Sequence, residues 1–330
     1  MHITASAPGK FVLSGEYAVL DGAPAICVAV DRRAVVTIDT HDGDCHLVRA
    51  PGFTAATGRF RVESGELSWL DGGRDFGLLE AVWNASRPAT ASHCLAISLD
   101  TEVFRDPGSG SKIGLGSSAA LTVALAAALD ALGGDNADTV AHAAHRLFQG
   151  GAGSGVDIAC SIAGGSVEYR MADRQATPLE WPAGLYFSVL WSGISADTGG
   201  RLARFADQPA SSSRSELSEA SASAAAAFER GQAAEVVAAL GAYTATLTRF
   251  DAAHGLGIFD AGHKTLVERA AGAGMVYKPC GAGGGDIGVA LATSRASLAS
   301  FEEIAARSGF MRLALSIDPC GALLHDKDEM

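Results

Sequence analysis

The residues best suited to chemistry stand around glycines. Lys112-Ile-Gly-Leu-Gly-Ser-Ser-Ala-Ala120 places two glycines and two hydroxyls just ahead of an Ala/Leu-rich run. Glycine lets a ligand approach the backbone closely, and the helix expected to follow offers free N–H groups and a positive dipole end. Together these make an anion site. Within it, Ser117 or Ser118 could cap the helix, bind phosphate or hold a magnesium ion. Two more glycine clusters carry charged side chains. Ala7-Pro-Gly-Lys10, followed by Ser14-Gly-Glu-Tyr-Ala-Val19, stands near the N-terminus, and Lys278-Pro-Cys-Gly-Ala-Gly-Gly-Gly-Asp286 near the C-terminus. Another glycine-rich stretch, Gly150 to Gly155, leads into Asp157. The chain lacks G-x-x-x-x-G-K-[ST] and so is not a P-loop protein. Asp75-Phe76-Gly77 has no accompanying V-A-I-K or H-R-D and reads as coincidence. His142 and His145, three apart on a helix with no third ligand nearby, read as packing or hydrogen-bonding residues.

These loops must be held by a mixed set of elements. His2–Ala7 and Ala25–Ile38 read as strands, and Asp42-Gly43 and Asp71-Gly72-Gly73 as turns between further short strands. Leu78–Ser86 reads as a helix and His93–Phe104 as a strand. Helices are expected from Ala119 to Leu132 and from Asp138 to Phe148, with an apolar segment over Val156–Ala163. Leu185–Trp191 is strand-like, and the Ser/Ala/Glu-rich stretch Ala206–Ser223 is expected to be partly mobile. Helices follow over Ala224–Leu240, Tyr243–Ala253, Phe259–Ala271 and Ser297–Arg307, with strands at Ile287–Ala292 and Leu313–Ile317. The charged end Asp326–Met330 is expected to fray. Strands and helices mix without strict β-α-β alternation, which favours α+β, and a lobe boundary near residue 185 divides 1–184 from 185–330.

Composition narrows the classes. The 330 residues are 48% hydrophobic and 19% charged, enough for a real core. A net charge of −12 argues against nucleic acid as a partner, and any anionic substrate must be met by individual lysines and arginines. The six cysteines form no C-x-x-C pair and fit reduced thiols in a cytoplasmic protein. No charged segment followed by an apolar one opens the chain, so no signal peptide is expected. Ala119–Leu132 is too short and Ala-rich to span a bilayer, so no membrane partner is expected.

P-G-K, G-L-G-S-S-A-A and G-A-G-G-G-D, in that order, resemble the three motifs of the GHMP kinase superfamily across nearly the whole chain. Within it, four features are similar to the phosphomevalonate kinase subgroup. They are Gly15-Glu16-Tyr17, Lys112 ahead of the central loop, His145-Arg-Leu-Phe-Gln149-Gly with Gly153-Ser-Gly-Val-Asp157, and Gly-Gly-Gly-Asp286. The resemblance implies an N-terminal lobe like ribosomal protein S5 domain 2 and an α/β C-terminal lobe, with ATP in the cleft between them. Cys280 departs from the Ser of many relatives. His145-Arg146 occupies the region where mevalonate kinases supply a metal-ligating Glu.

The resemblance also implies roles. Lys10 and Asp157 would be catalytic, Lys10 by neutralising charge between donor and acceptor phosphates. Lys112, Gly114, Leu115, Gly116, Ser117, Ser118 and Ala119 would hold ATP, and Ser118 would ligate Mg2+. Phosphomevalonate, the small-molecule acceptor, would meet Lys10, Tyr17, Lys112, Ser154, Gly155, Ser192, Gly281, Ala282, Gly283 and Gly284, with Arg201 a further candidate. A phosphate monoester is already largely dianionic near neutral pH, its second pKa being about 6, so it hardly needs a base. Asp157 would then orient Lys10 or the acceptor. The rival readings are a GHMP kinase acting on a hydroxyl such as that of mevalonate, and a non-catalytic ATP- or metabolite-binding protein. The related ATP-dependent decarboxylase is disfavoured by its different glycine loops.

Overall fold

The computed structural model describes residues 1–89, 93–151, 153–206, 208–209 and 211–325. The expected fraying end, Asp326–Met330, lies outside the described residues. The first sheet is built on a long antiparallel pair, β1 (His2–Ser14) and β2 (Ala25–His41). It continues through β3 (His46–Ala50), β4 (Thr54–Glu63) and β5 (Glu66–Asp71). After helix α1 (Gly77–Ser86), strand β6 (Cys94–Asp100) inserts between β2 and β3, antiparallel to the first and parallel to the second. Helices α2 (Ser117–Asp130), α3 (Ala137–Phe148) and α4 (Val156–Ala163) follow, and the hairpin β7 (Ser166–Arg170) and β8 (Gln175–Leu179) pairs back onto β2.

The second sheet opens with β9 (Tyr186–Trp191). Helices α5 (Thr198–Ala206), α6 (Ser212–Glu229), α7 (Ala233–His254) and α8 (His263–Ala271) precede β10 (Val276–Pro279) and β11 (Ile287–Ala292). Helix α9 (Arg295–Arg307) and β12 (Met311–Leu313) complete an antiparallel sheet in the order β10-β11-β9-β12. The chain then returns, and β13 (Leu323–His325) pairs with β1, so residues beyond 185 give a strand to the first sheet. The architecture is α+β, as expected.

Local chemistry explains the elements that matter for function. β1 is buried from Thr4 to Ser14, and Pro8 is tolerated inside it because the ladder shifts register between Pro8 and Gly9. Helix α2 is enclosed from Ala119 to Leu129, and its alanines let its backbone lie close to β1 and β2. It is a core helix; no helix among the described residues is long and apolar enough to cross a membrane. The second sheet is covered on both faces. Leu190, Tyr277 and Ala290 pack with Leu266 and Phe301, while Val189, Val276 and Val289 join the core that holds Leu240 and Tyr243.

Several sequence expectations need correction. The stretch Ala206–Ser223 is largely helical: α5 ends at Ala206 and α6 starts at Ser212. Leu217, Ser221, Ala224 and Phe228 are buried, and Ser221 Oγ donates to the Pro24 carbonyl at 2.6 Å. The small residues of this stretch let α6 pack closely against the helix that follows it. The break expected near residues 241–242 falls instead at Gly231, where φ is 70° and α6 gives way to α7. Gly241 sits inside α7, its cost of about 1 kcal/mol relative to Ala carried by good helix formers around it. Lys278 does not open a loop but lies in buried β10, and Ile317 makes only an isolated bridge with Val30.

A packed α6 has measurable consequences. Phe228→Ala should lower the unfolding free energy by about 3–5 kcal/mol in urea titrations. Amide hydrogens of Leu217–Phe228 should exchange no faster without ATP than with it; nucleotide-dependent protection would restore a mobile segment.

Candidate active site

The cleft is organised around Lys10. Its ammonium lies 3.0 Å from Asp157 Oδ1, with the lysine buried and the carboxylate about one-third exposed at 33%. Burial alone would lower the lysine's pKa, but the charge of Asp157 and the hydrogen bond to it outweigh that, and the net shift is upward. Asp157 stands in the first turn of α4, where the helix dipole favours an anion. Two glycines make room for Lys10. A Cβ on Gly9 would meet Phe104 Cε1 at 2.5 Å and the Leu115 carbonyl at 2.7 Å. That closeness allows Lys10 N–H to donate to Leu115 O at 2.9 Å, tying β1 to the central loop. Gly116, at φ 75°, would place a Cβ 2.8 Å from Lys10 Cε.

The central loop ends at Gly116, which precedes α2 without a side-chain cap, leaving the first-turn N–H groups open toward the cleft. Ser118 Oγ is 3.3 Å from His145 Nε2. His145 is buried, and burial lowers its pKa while nearby Asp157 opposes the shift. Lys112 is exposed at the cleft mouth and makes no ion pair among the described residues. The protein around it lowers its pKa, and Asp286 opposes that shift. Asp286 comes so near the central loop that a Cβ on Gly114 would lie 2.4 Å from it. Burial raises the Asp286 pKa, although the Ala196 N–H donates to its carboxylate at 3.1 Å.

Two cavities meet at this point. One, of ≈ 250 Å³, is lined by Lys10, Tyr17, Lys112, Gly114, Gly116, Ser118, Ser154, Gly155, Asp157, Gly281 and Ala282 together with Glu16, His145, Thr198, Cys280 and Asp286. The other, of ≈ 420 Å³, is mainly apolar, with Phe53, Phe76, Leu78, Leu99, Phe104 and Leu121 alongside Arg105, Ser117 and the shared Lys112 and Ser118. The N-terminus of α2 thus forms the partition between a polar chamber and an apolar one.

Other expected residues are placed differently. Leu115 and Ala119 are buried beneath the loop. Ser192 closes on its own backbone, with Oγ 3.2 Å from Ile194 O and from Ile194 N, and does not line the polar chamber. Gly283 and Gly284 pack against Ile258, and Arg201 is buried donating to the carbonyls of Leu256, Asp197 and Gly284. Tyr17 lines the chamber with its ring, but its hydroxyl donates to Ala282 O at 2.8 Å and so joins the first and third loops. Ser154 Oγ accepts the Val156 N–H at 3.3 Å in a local turn just ahead of α4. Cys280 faces the chamber as a thiol whose pKa burial pushes up to about 12. His145, expected as a packing or hydrogen-bonding residue, is buried beside Ser118, while sequence reasoning missed the contributions of Glu16, Asp286 and buried Lys278. The signal for Lys278 was present: a charged residue within the apolar run Val276-Tyr-Lys-Pro.

The cleft thus sets a lysine–carboxylate pair beside an uncapped helix start flanked by glycines. Residues 79–165 match the GHMP kinases N terminal domain. The chain is 30% identical to the phosphomevalonate kinase of Streptomyces sp. (strain CL190), over 89% of this chain and 91% of that protein. It is 36% identical to the mevalonate kinase of Methanothermobacter thermautotrophicus, over 63% of this chain and 65% of that one. The structure of Streptococcus pneumoniae phosphomevalonate kinase in complex with phosphomevalonate and AMPPNP superimposes with a TM-score of 0.78 at 20% identity, covering 95% and 99% of the two chains. The chain belongs to the GHMP kinase family.

The third loop is held by His263, whose Nε2 donates to Gly285 O at 3.1 Å while Nδ1 accepts from the Tyr277 hydroxyl at 2.8 Å. Only the neutral ring can accept the Tyr277 hydroxyl; the Gly285 contact favours the protonated ring, but burial outweighs it and lowers the pKa from 6.5 to about 4. A depressed histidine contributes stability that is full above its unfolded pKa and lost as pH falls toward the folded one. Between pH 6.5 and about 4 this group should therefore remove roughly 1.4 kcal/mol of stability per pH unit. Urea unfolding at pH 7 and 4.5 should show wild type losing more stability than His263→Gln; equal losses would contradict the assignment.

Proposed function

We propose that the chain transfers the γ-phosphoryl group of ATP to the phosphate of (R)-5-phosphomevalonate, giving 5-diphosphomevalonate and ADP in the mevalonate pathway. The observation that carries this reading is Lys112, a cation without an ion-pair partner among the described residues at the junction of the two chambers. ATP lies with its base side in the apolar chamber and its phosphates over the N-terminus of α2, at Gly114, Gly116, Ser117 and Ser118. The acceptor occupies the polar chamber. Its phosphate meets Lys112 and Lys10, and its remainder lies against Tyr17, Ser154, Gly155, Gly281 and Ala282.

Phosphoryl transfer depends mostly on alignment and on neutralising charge on the moving group. The acceptor phosphate, largely dianionic above pH about 6, attacks without prior loss of a proton. Asp157 keeps Lys10 aimed at the point where donor and acceptor oxygens converge. Lys112 offsets the repulsion between two anionic reactants, which the net charge of −12 would otherwise increase.

The donor set fits a divalent ion brought in with the nucleotide. Ser118 Oγ and the Asp157 oxygen not engaged by Lys10 are hard oxygen donors of the kind Mg2+ prefers. Among the described residues no group of three or more His, Cys, Asp or Glu forms a metal cage, which suits an ion whose remaining ligands are phosphate and water. When bound, Mg2+ supplies charge neutralisation to the phosphoryl group. The 30%-identical relative that spans most of both chains supports the phosphorylated acceptor.

A coupled ADP-release assay with Mg-ATP tests the proposal against mevalonate, mevalonate 5-phosphate and diphosphomevalonate. Turnover is expected only with mevalonate 5-phosphate, and Lys112→Met should raise the acceptor KM about ten- to hundredfold, the range of a lost charge-assisted contact. Turnover with mevalonate would assign a hydroxyl acceptor to the same cleft.

A further inference from the structure

Behind the polar chamber lies a second ion pair. The Lys278 ammonium is fully enclosed, bonded to Glu16 Oε1, and it donates to the Val12 carbonyl at 3.3 Å. The side chains are 0% and 1% exposed. The other carboxylate oxygen of Glu16 accepts the Tyr243 hydroxyl at 2.8 Å, and that hydroxyl accepts the Gly15 N–H at 3.0 Å. Three parts of the chain therefore converge on one carboxylate: the first glycine cluster, β10 of the second sheet, and α7.

The location gives the pair a role beyond burial. Glu16 lines the chamber assigned to the acceptor, whereas Lys278 lies behind it and does not. An uncompensated carboxylate in that wall would repel an anionic acceptor. Paired with Lys278 it is neutralised, which leaves Lys10 and Lys112 to set the field the acceptor meets. The same pair fixes the spacing of the loops at the chamber edge. Tyr17, next to Glu16, reaches Ala282 O, while Cys280 and Gly281 follow Lys278 along the chain.

We propose that Glu16, Lys278 and Tyr243 are positioning residues that set the anion affinity of the acceptor chamber, by neutralising the wall carboxylate of Glu16 and joining the first and third glycine loops. The inference rests on the reading that this chamber takes an anionic acceptor. It differs from a purely structural role in the sign of its effects. Removing either charge leaves the other buried and unpaired, and both single variants lose stability. Their effects on anion binding must nevertheless diverge.

The test measures melting temperature, acceptor KM and ATP KM in parallel. Lys278→Met should raise the KM for mevalonate 5-phosphate about tenfold or more, with ATP KM within about twofold. Glu16→Gln should not raise the acceptor KM, although it melts earlier than wild type. The double variant Glu16→Gln/Lys278→Met should return the acceptor KM to within about threefold of wild type. If a single variant fails to fold, Tyr243→Phe, which releases one oxygen of Glu16, should raise the acceptor KM about two- to fivefold. Calorimetric titration of inorganic pyrophosphate into AMPPNP-saturated protein reads the same effect without turnover. If wild type phosphorylates none of the acceptors, the functional reading fails, and pyrophosphate affinities still decide the role of the pair. Equal KM or affinity shifts in Lys278→Met and Glu16→Gln, or lowered melting with neither changed, would overturn the proposal.

Discussion

A buried ammonium is stable only if something nearby repays its lost hydration, and for Lys10 that is Asp157 at 3.0 Å. Much of the cleft follows from this pair. Asp157 must stand at the start of α4, which requires the Gly153–Gly155 turn ahead of it, with Gly155 at φ 83°. Lys10 must pass under the central loop, which demands glycine at positions 9 and 116. The interruption of β1 at Pro8–Gly9 is where the ladder gives up regularity so that the loop can rest on the strand. Fold and chemistry thus share one geometric problem: a cation enclosed by protein on most sides and open to ligand on one.

The field in the cleft is local. The chain as a whole is strongly acidic, and Asp157, Asp286 and Glu16 all border the polar chamber. Each carboxylate is matched differently. Asp157 is engaged by Lys10 and Glu16 by Lys278, while Asp286 accepts a backbone N–H and has its pKa raised by burial. Lys112 and the uncapped N–H groups of α2 are then the positive groups left at the chamber for the anionic acceptor proposed above. The partition at the start of α2 keeps the apolar chamber separate from this charged region.

Much of this arrangement was legible in the sequence, because glycines, helix starts and cations announce themselves at short range. The central loop, α2, α3 and α4 follow from motifs in which each residue type has a local reason, whereas a role for Asp157 in orienting Lys10, or else the acceptor, was implied only by the family resemblance. What the sequence concealed depends on distant partners. Gly283 and Gly284 look like ligand contacts, yet they exist so that the loop can pack on Ile258 and Arg201. Arg201 resembles a free cation until Leu256, Asp197 and Gly284 are seen to consume its donors. The Ser/Ala-rich run of α6 reads as partly mobile because its burial depends on packing against α7 and on Pro24, 197 residues from Ser221. Lys278 sits next to a motif, but its partner is 262 residues distant, and no periodicity links the two.

The most direct test of the account is whether Lys10 acts on the transferring group rather than on nucleotide binding. Lys10→Met and Asp157→Asn should be compared with wild type for AMPPNP affinity by calorimetry and for single-turnover rate with saturating ATP and acceptor. The account predicts rates lower by about 10²–10³-fold in Lys10→Met, the scale of losing one preorganised donor, with AMPPNP affinity changed by less than about threefold. A rate within about tenfold of wild type, or a loss of nucleotide affinity that matches the loss of rate, would contradict it.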